Sequence, residues 1–327
     1  MEESYRKRGS LSTDTTRSDG FSPSNLAAFR FACYTGPMQM RTIRITEEYA
    51  GMTVEAVLTR VFSVSGAYLS RLKRRADSLL LNGARVYATR RVRSGDVLSF
   101  DPSDGKRAGI RPIPFPLDVV YEDEWLVVVN KPKHFSVHPA RDPDEPTLEN
   151  ALAAYLKGVE NPHPVSRLDK DTTGLLTVAK SGYVHALMKT VQAEGGFQKT
   201  YLAITQGVPD PLQGFIEEPL GAQPGSSYRR TVRADGAPSK TGYSVVRRFG
   251  DLALVRLVPY TGRTHQLRVH MAYAGFPLLG DWLYGERSER IDRPALHAET
   301  LTFLHPITHE RITLSAPLPN DMRSLIE

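Results

Sequence analysis

Arg167 and Asp169 stand two residues apart in HPVSRLDKDTTGLL, residues 163–176. A positioned carboxylate can act as nucleophile or as general base, and a neighbouring guanidinium favours its ionised form. Asp171, Thr172, Thr173 and Gly174 are turn-forming types, and the LLTVA run that follows has the make-up of a buried strand. Asp169 is therefore expected on a loop leading into a core strand, where a rigid scaffold can aim it. An Asx-type turn with an incidental ion pair is the plainer account of the same residues. Asp171 offers a second carboxylate on this loop. Hydrolysis of a glycosidic bond, which needs two carboxyl groups ~5–9.5 Å apart, is thus a class to weigh.

Other chemistry-bearing residues lie downstream. Tyr201 sits in the strand-like KTYLAITQG, where a half-buried structural Tyr is the default. In TGRTHQLRVHMAYAG, residues 261–275, Thr264 looks like a helix N-cap and Gly275 a C-cap, with Arg268 about one turn in. His265 and His270 are five apart, so they diverge on either a helix or a strand. Cys33 is the only cysteine, and no metal site is expected. Neither G-x-x-x-x-G-K-S/T nor a strand-linked G-x-G-x-x-G occurs, so no cofactor is expected either.

The elements that must position these residues divide the 327-residue chain unequally. Residues 1–40 are rich in Ser, Thr and Gly and read as a disordered tail, with Met38 or Met40 an alternative start to Met1. Residues 41–103 read as a small folded unit: strand, helix (TVEAVLTRVF), second helix, short strand, Asn82-Gly83 hairpin turn and closing strand. Between Arg60 and Arg93 lie nine basic residues against one acid, Asp77. Arg71, Lys73, Arg74 and Arg75 are among them, and a solvated face would mix signs more evenly. Residues 104–116 form a Pro-rich linker, since Pro112, Pro114 and Pro116 oppose helix and central strand alike. Residues 117–327 form the larger domain. There two strands end at Asn130-Lys131-Pro132, Thr147 caps a helix stopped at Gly158, Ser181 caps another, and long alternating strands follow. That mixture predicts an α+β fold around a mostly antiparallel sheet with flanking helices.

The net charge of +6 and a pI near 9.3 favour a polyanionic partner. A lone cysteine excludes a disulfide framework and fits a reducing cytoplasm. No apolar run approaches the ~18–20 residues that span a bilayer. No membrane partner is expected, and monomer is the default state.

SRLDKDTTGLL, KTYLAI, GRTHQLRVHMAYAGFPLLGDWLYG and LHAETLTFLHP, with YEDEWLVVVNKP and TLENAL before them, resemble in order the motifs of the RluA-type RNA pseudouridine synthases. The resemblance covers roughly residues 45–320. Residues 41–103 resemble the small RNA-binding module named after a ribosomal small-subunit protein. Two positions depart from the family pattern: Ser166 stands where His is common before Arg-Leu-Asp, and Thr173 replaces Ser.

The resemblance implies isomerisation of uridine: the uracil–ribose bond breaks, the base turns, and ribose rejoins it through carbon 5 without a cofactor. Asp169 matches the family's essential carboxylate, as attacker of the anomeric carbon or base toward the neighbouring sugar proton. Arg268 matches its paired Arg, and Tyr201 the Tyr that stacks on the base. Could Tyr201 also take the carbon-5 proton? Only ~0.1% of an ordinary Tyr is phenolate at pH 7, so that role needs help from its surroundings. Arg167 is expected at phosphate or in the gap left by the flipped uridine. Lys131 and Arg263, with the module's Arg71, Lys73, Arg74 and Arg75, are further RNA-contact candidates. Ribosomal large-subunit RNA is the favoured target and transfer RNA the alternative; a non-catalytic RNA-binding protein is the rival class.

Overall fold

The computed structural model describes residues 38–104, 110–138, 145–157, 159 and 161–327, all within one compact unit. Most of the expected tail, Cys33, Gly158 and the first half of the linker lie outside the described residues.

The N-terminal portion comprises β1 (Arg41–Arg44), α1 (Val54–Phe62), α2 (Gly66–Leu72), β2 (Leu79–Leu81), β3 (Ala84–Arg85) and β4 (Val97–Phe100), with strand order β1-β4-β2-β3, all antiparallel. Thr53 and Ser65 cap the two helices through their side chains, each accepting an amide three residues on. Asn82 and Gly83 both take positive φ, 54° and 78°, as a two-residue hairpin turn requires.

Next come β5 (Val119–Glu122), β6 (Leu126–Lys131), α3 (Leu148–Tyr155), β7 (His163–Pro164), β8 (Thr173–Ala179), α4 (Gly182–Ala193) and β9 (Phe197–Gln206). They are followed by β10 (Gln213–Ile216), β11 (Leu220–Ala222), β12 (Arg230–Val232), β13 (Thr241–Phe249), β14 (Leu252–Pro259), α5 (Gln266–Tyr273), β15 (Leu296–Leu304), β16 (Arg311–Ser315) and α6 (Asn320–Arg323). A ten-stranded sheet runs β10-β13-β14-β9-β15-β8-β6-β5, with β16 on β15 and β7 on β8. Among the described residues only β15 and β8 pair in parallel, so the expected mostly antiparallel α+β fold is what forms. That one parallel contact needs Gly174: its φ is +109°, and a Cβ there would run into the Ala298 backbone.

The sheet is covered on both faces, which is why β8 is buried along its whole length. One face packs Val127, Leu176, Tyr201, Ala203 and Leu257 against α3 and α5. The other packs Leu126, Val128 and Leu175 against α4 and the N-terminal portion in a single hydrophobic cluster. There Phe100 meets Tyr183 edge-on at 5.3 Å, and the Tyr183 hydroxyl donates to the Phe62 carbonyl at 2.9 Å. Thr147 and Ser181 cap α3 and α4 as their sequence suggests.

Thr264 does not cap α5. The helix starts one residue later, behind a left-handed His265 (φ 58°), and the Thr264 hydroxyl instead receives Arg167. Gln266 folds its side-chain oxygen back onto the Arg263 amide and the Thr261 hydroxyl, fixing the loop without an N-cap side chain.

Candidate active site

Asp169 lies on the loop between β7 and β8, where the carbonyls of the next two residues are held from below. Lys131, at the end of β6, donates its three ammonium hydrogens to the carbonyls of Pro132 (2.8 Å), Phe135 (2.9 Å) and Lys170 (2.8 Å). Arg293 donates to the Asp171 carbonyl at 3.2 Å while both its other nitrogens hold Asp321 at 2.9 Å. The loop is thus clamped by two buried cations. This corrects the expectation for Lys131. It is 1% exposed with every donor engaged, so no phosphate can reach it. Burial pushes its ammonium down to about 7, against the opposing charges of Asp171 and Asp169.

Arg268, on α5, reaches the same carboxylate with its Nη1, 3.5 Å from Asp169 Oδ2. Its stronger partner is Asp281, which accepts Nε and Nη2 at 2.7 Å each and is fully buried. Burial works against the guanidinium charge, but Asp281, with Asp169 beyond it, holds Arg268 above its ordinary range. Asp281 also accepts the backbone amides of Leu283 and Tyr284, so the carboxylate cannot swing away from Arg268. The Arg268 guanidinium lies 5.1 Å from the Tyr284 ring centroid.

The other oxygen of Asp169 faces His265, with Nε2 at 3.9 Å. His265 Nδ1 meets the Tyr284 hydroxyl at 2.7 Å, and that hydroxyl accepts the Arg230 amide at 2.9 Å. With a lone pair committed to Arg230, the Tyr284 proton is free to go to Nδ1, leaving the imidazole hydrogen on Nε2, toward Asp169. Burial lowers the His265 pKa, which keeps that ring neutral at pH 7. Asp169 is thus flanked by two donors, neither close enough to consume an oxygen, and its side chain remains 27% exposed.

Tyr201 comes from β9, paired with Leu257 of β14 and Ala298 of β15. It is 8% exposed. Burial first, then the charge of Asp169, raises its hydroxyl pKa above the usual Tyr value. A phenolate is therefore even less accessible than in an ordinary Tyr, so the surroundings oppose proton removal by this group. Asp171 bonds to His134 at 2.8 Å and is not poised as a second reacting carboxylate.

Arg167 and Arg263 are exposed at the rim, bonded to the Thr264 hydroxyl (3.3 Å) and the Pro238 carbonyl (3.2 Å). The basic run splits. Arg75 is half-buried, paired with Asp101 and donating to the Ser103 carbonyl, and Arg71 is half-buried over the Tyr68 ring at 5.0 Å. Both pack partly against neighbouring side chains and are less exposed than Lys73 and Arg74. Lys73 and Arg74 are exposed, the former beside Glu55 at 2.7 Å. The hydroxyl of Ser166 is buried, with no hydrogen-bond partner among the described residues.

The RNA pseudouridylate synthase family model matches residues 125–273, the span that carries β6, the Asp169 loop, Tyr201 and α5. Over 285 residues the chain is 36% identical to the uncharacterized RNA pseudouridine synthase YjbO of Bacillus subtilis (strain 168), covering 86% of this chain and 98% of that protein. The chain belongs to the RNA pseudouridine synthase family. It is also 33% identical over 312 residues to ribosomal large subunit pseudouridine synthase D of Zymomonas mobilis, covering 89% of this chain and 98% of that one. The solved structure of human RNA pseudouridylate synthase domain containing 1 superposes with a TM-score of 0.53 at 29% identity, over 62% of this chain and 83% of that chain. As an RNA pseudouridine synthase the enzyme is an isomerase acting on RNA.

Asp281, Tyr284, His265 and Lys131 are the site residues that motif logic missed or misplaced. Asp281 and Tyr284 do lie within the GDWLYG motif, but nothing local marks that Asp as buried.

Proposed function

We propose that this synthase isomerises uridines of large-subunit ribosomal RNA, with Asp169 as the reacting carboxylate. What supports it is the arrangement of Asp169, flanked at 3.5 Å by Arg268 and at 3.9 Å by His265, with its charge felt at the buried Tyr201 hydroxyl. Arg268 sets a fixed positive charge beside Asp169 in a site from which RNA displaces water. Tyr201 serves as a stacking platform, because its raised pKa opposes proton transfer. Arg167 and Arg263, at the rim, contact phosphates beside the flipped nucleotide. The isomerisation moves no net electrons or water, so no cofactor is needed.

Residues 41–103 act as an RNA-binding module of the ribosomal small-subunit type, linked by residues 104–116 to the catalytic domain, 117–327. Lys73, Arg74, Arg85, Arg90, Arg91 and Arg93 are among its exposed cations. Ribosomal RNA is preferred over transfer RNA because the synthase D relative carries that substrate in its name at 33% identity over nearly its whole length. The enzyme works as a monomer in the cytoplasm, where ribosomes are made; among the described residues no helix is long and apolar enough to cross a membrane.

Rejoining ribose through carbon 5 displaces the hydrogen there, so RNA tritiated at that position releases tritium to water. Purified enzyme should release it from large-subunit RNA of a deletion strain and not from that strain's transfer RNA. Release from transfer RNA alone would overturn the target.

A further inference from the structure

A groove of about 500 Å³ lies at the far end of the sheet, across β10, β13 and β14, lined by Phe215, Gly242, Ser244, Arg256, Val258 and Tyr260 among others. Two of its aromatic side chains are far more exposed than packing explains: Phe215 is 59% and Tyr260 58% exposed. Their rings lie 5.9 Å apart and lean over Gly242, where a Cβ would meet them at 3.3 and 3.4 Å. Lys240 Nζ stands 4.5 Å from the Phe215 ring and 5.7 Å from that of Tyr260. Its only acidic neighbour is Glu217, at 2.6 Å, among the described residues. Arg256 is exposed on the same face and has no ion pair among the described residues.

The groove is tied to the catalytic loop. The Lys240 carbonyl accepts the Tyr260 amide at 2.9 Å and the Gln266 side chain at 3.0 Å, and its own amide donates to Thr261 at 3.0 Å. Gln266 opens α5, two residues before Arg268. Arg256 and Val258 flank Leu257, the partner of Tyr201, so by strand alternation the groove lies on the sheet face opposite the Tyr201 ring.

Exposed rings with cations beside them, on an open sheet surface, match single-stranded nucleic acid: bases stack, and Lys and Arg meet phosphate. We propose that this groove is a second RNA subsite, in which Phe215 and Tyr260 stack an unpaired base of the substrate strand outside the target uridine while Lys240 and Arg256 hold its phosphates. This rests on the reading that the chain acts on RNA. The strand passes from the Asp169 pocket round the ends of β13 and β14, where Arg263 and Tyr260 lie, to the opposite face. The site adds affinity and register without touching the reacting atoms.

The test uses the full-length protein and a short single-stranded RNA carrying one 2-aminopurine, whose fluorescence falls on stacking. Wild type should quench it. Phe215→Ala combined with Tyr260→Ala should abolish the quench and weaken binding by roughly 5- to 150-fold. Tyr260→Phe should behave as wild type, and Arg256→Ala should lower the salt slope of binding by about one unit. Tritium release at saturating RNA should be unchanged in all of them. Equal affinity and quench in wild type and the double alanine variant would overturn the subsite. A variant that changes only sedimentation of the protein would make the groove a protein interface and overturn it equally. Wild type that quenches but never releases tritium would instead sink the enzymatic reading and leave the subsite standing.

Discussion

Removing one or the other of the two carboxylates on Arg268 should divide its effects differently between stability and chemistry. Asp281→Asn takes away a fully buried charge that accepts two guanidinium bonds at 2.7 Å and two backbone amides. Breaking such a pair from one side leaves Arg268 buried without its counter-charge, a loss of roughly 3–5 kcal/mol. In a unit of this size that lowers Tm by on the order of 10 °C. Asp169→Asn removes a charge that is 27% exposed and 3.5 Å from Arg268, a pair in the ~0–1 kcal/mol range, and leaves the Asp281 pair in place. Its Tm should therefore stay within about 3 °C of wild type. Activity should respond differently: Asp169→Asn should give no product, while Asp281→Asn should be impaired through a misaimed Arg268. Thermal unfolding by circular dichroism, with tritium release on the same preparations, reads both. If Asp169→Asn unfolds as early as Asp281→Asn, the division between a structural and a reacting carboxylate is wrong.

Tyr201→Phe keeps the ring and removes only a hydroxyl that burial holds protonated, so single-turnover rates should stay near wild type; a severe loss would make the hydroxyl a participant in proton transfer. Replacing Arg74, Arg85, Arg90 and Arg93 together by Ala should lower the slope of log affinity against log salt by about 3 units, at ~0.7–0.9 per phosphate contact. An unchanged slope would mean that these exposed cations are only a solvated face. Stability should fall as pH drops below about 6.5, with His297 contributing, because burial first, and Arg293 next, push its pKa down to about 4. The unfolded chain binds this proton first, so full stability holds above pH ~6.5 and on the order of 3 kcal/mol is lost by pH ~4. Urea unfolding at the two ends of that range should show a smaller difference in His297→Gln.

Much of the frame was legible because it is encoded locally. Thr147 and Ser181 sit where side-chain oxygens meet free amides, and Asn82-Gly83 is the pair a two-residue turn favours. The Asp169 loop was legible for the same reason, as turn-forming residues before a continuous apolar strand. What escaped depends on contacts distant in sequence. Asp281 is thirteen residues from Arg268 and carries no local sign of burial. Lys131 belongs to a type almost never buried, and only the three carbonyls around it permit its position. Thr264 had the right chemistry for a cap and was outcompeted by Gln266 and a left-handed His265. The short strands β7, β10, β11 and β12 carry too few residues for a period to register. The N-terminal portion reads as separate in sequence, yet Phe62, Tyr68 and Phe100 share one cluster with Leu126 and Tyr183. Cutting the chain after residue 103 would uncover that face, which is why the charge variants above are the cleaner test of RNA binding.

The central claim is that Asp169 drives isomerisation of uridine in large-subunit ribosomal RNA. The most direct test maps pseudouridine across all cellular RNA in a strain lacking this gene, complemented with wild type or with Asp169→Asn. The account predicts that one or more large-subunit positions lose the modification and that wild type alone restores it. A map unchanged by the deletion, or restored by Asp169→Asn, would contradict it.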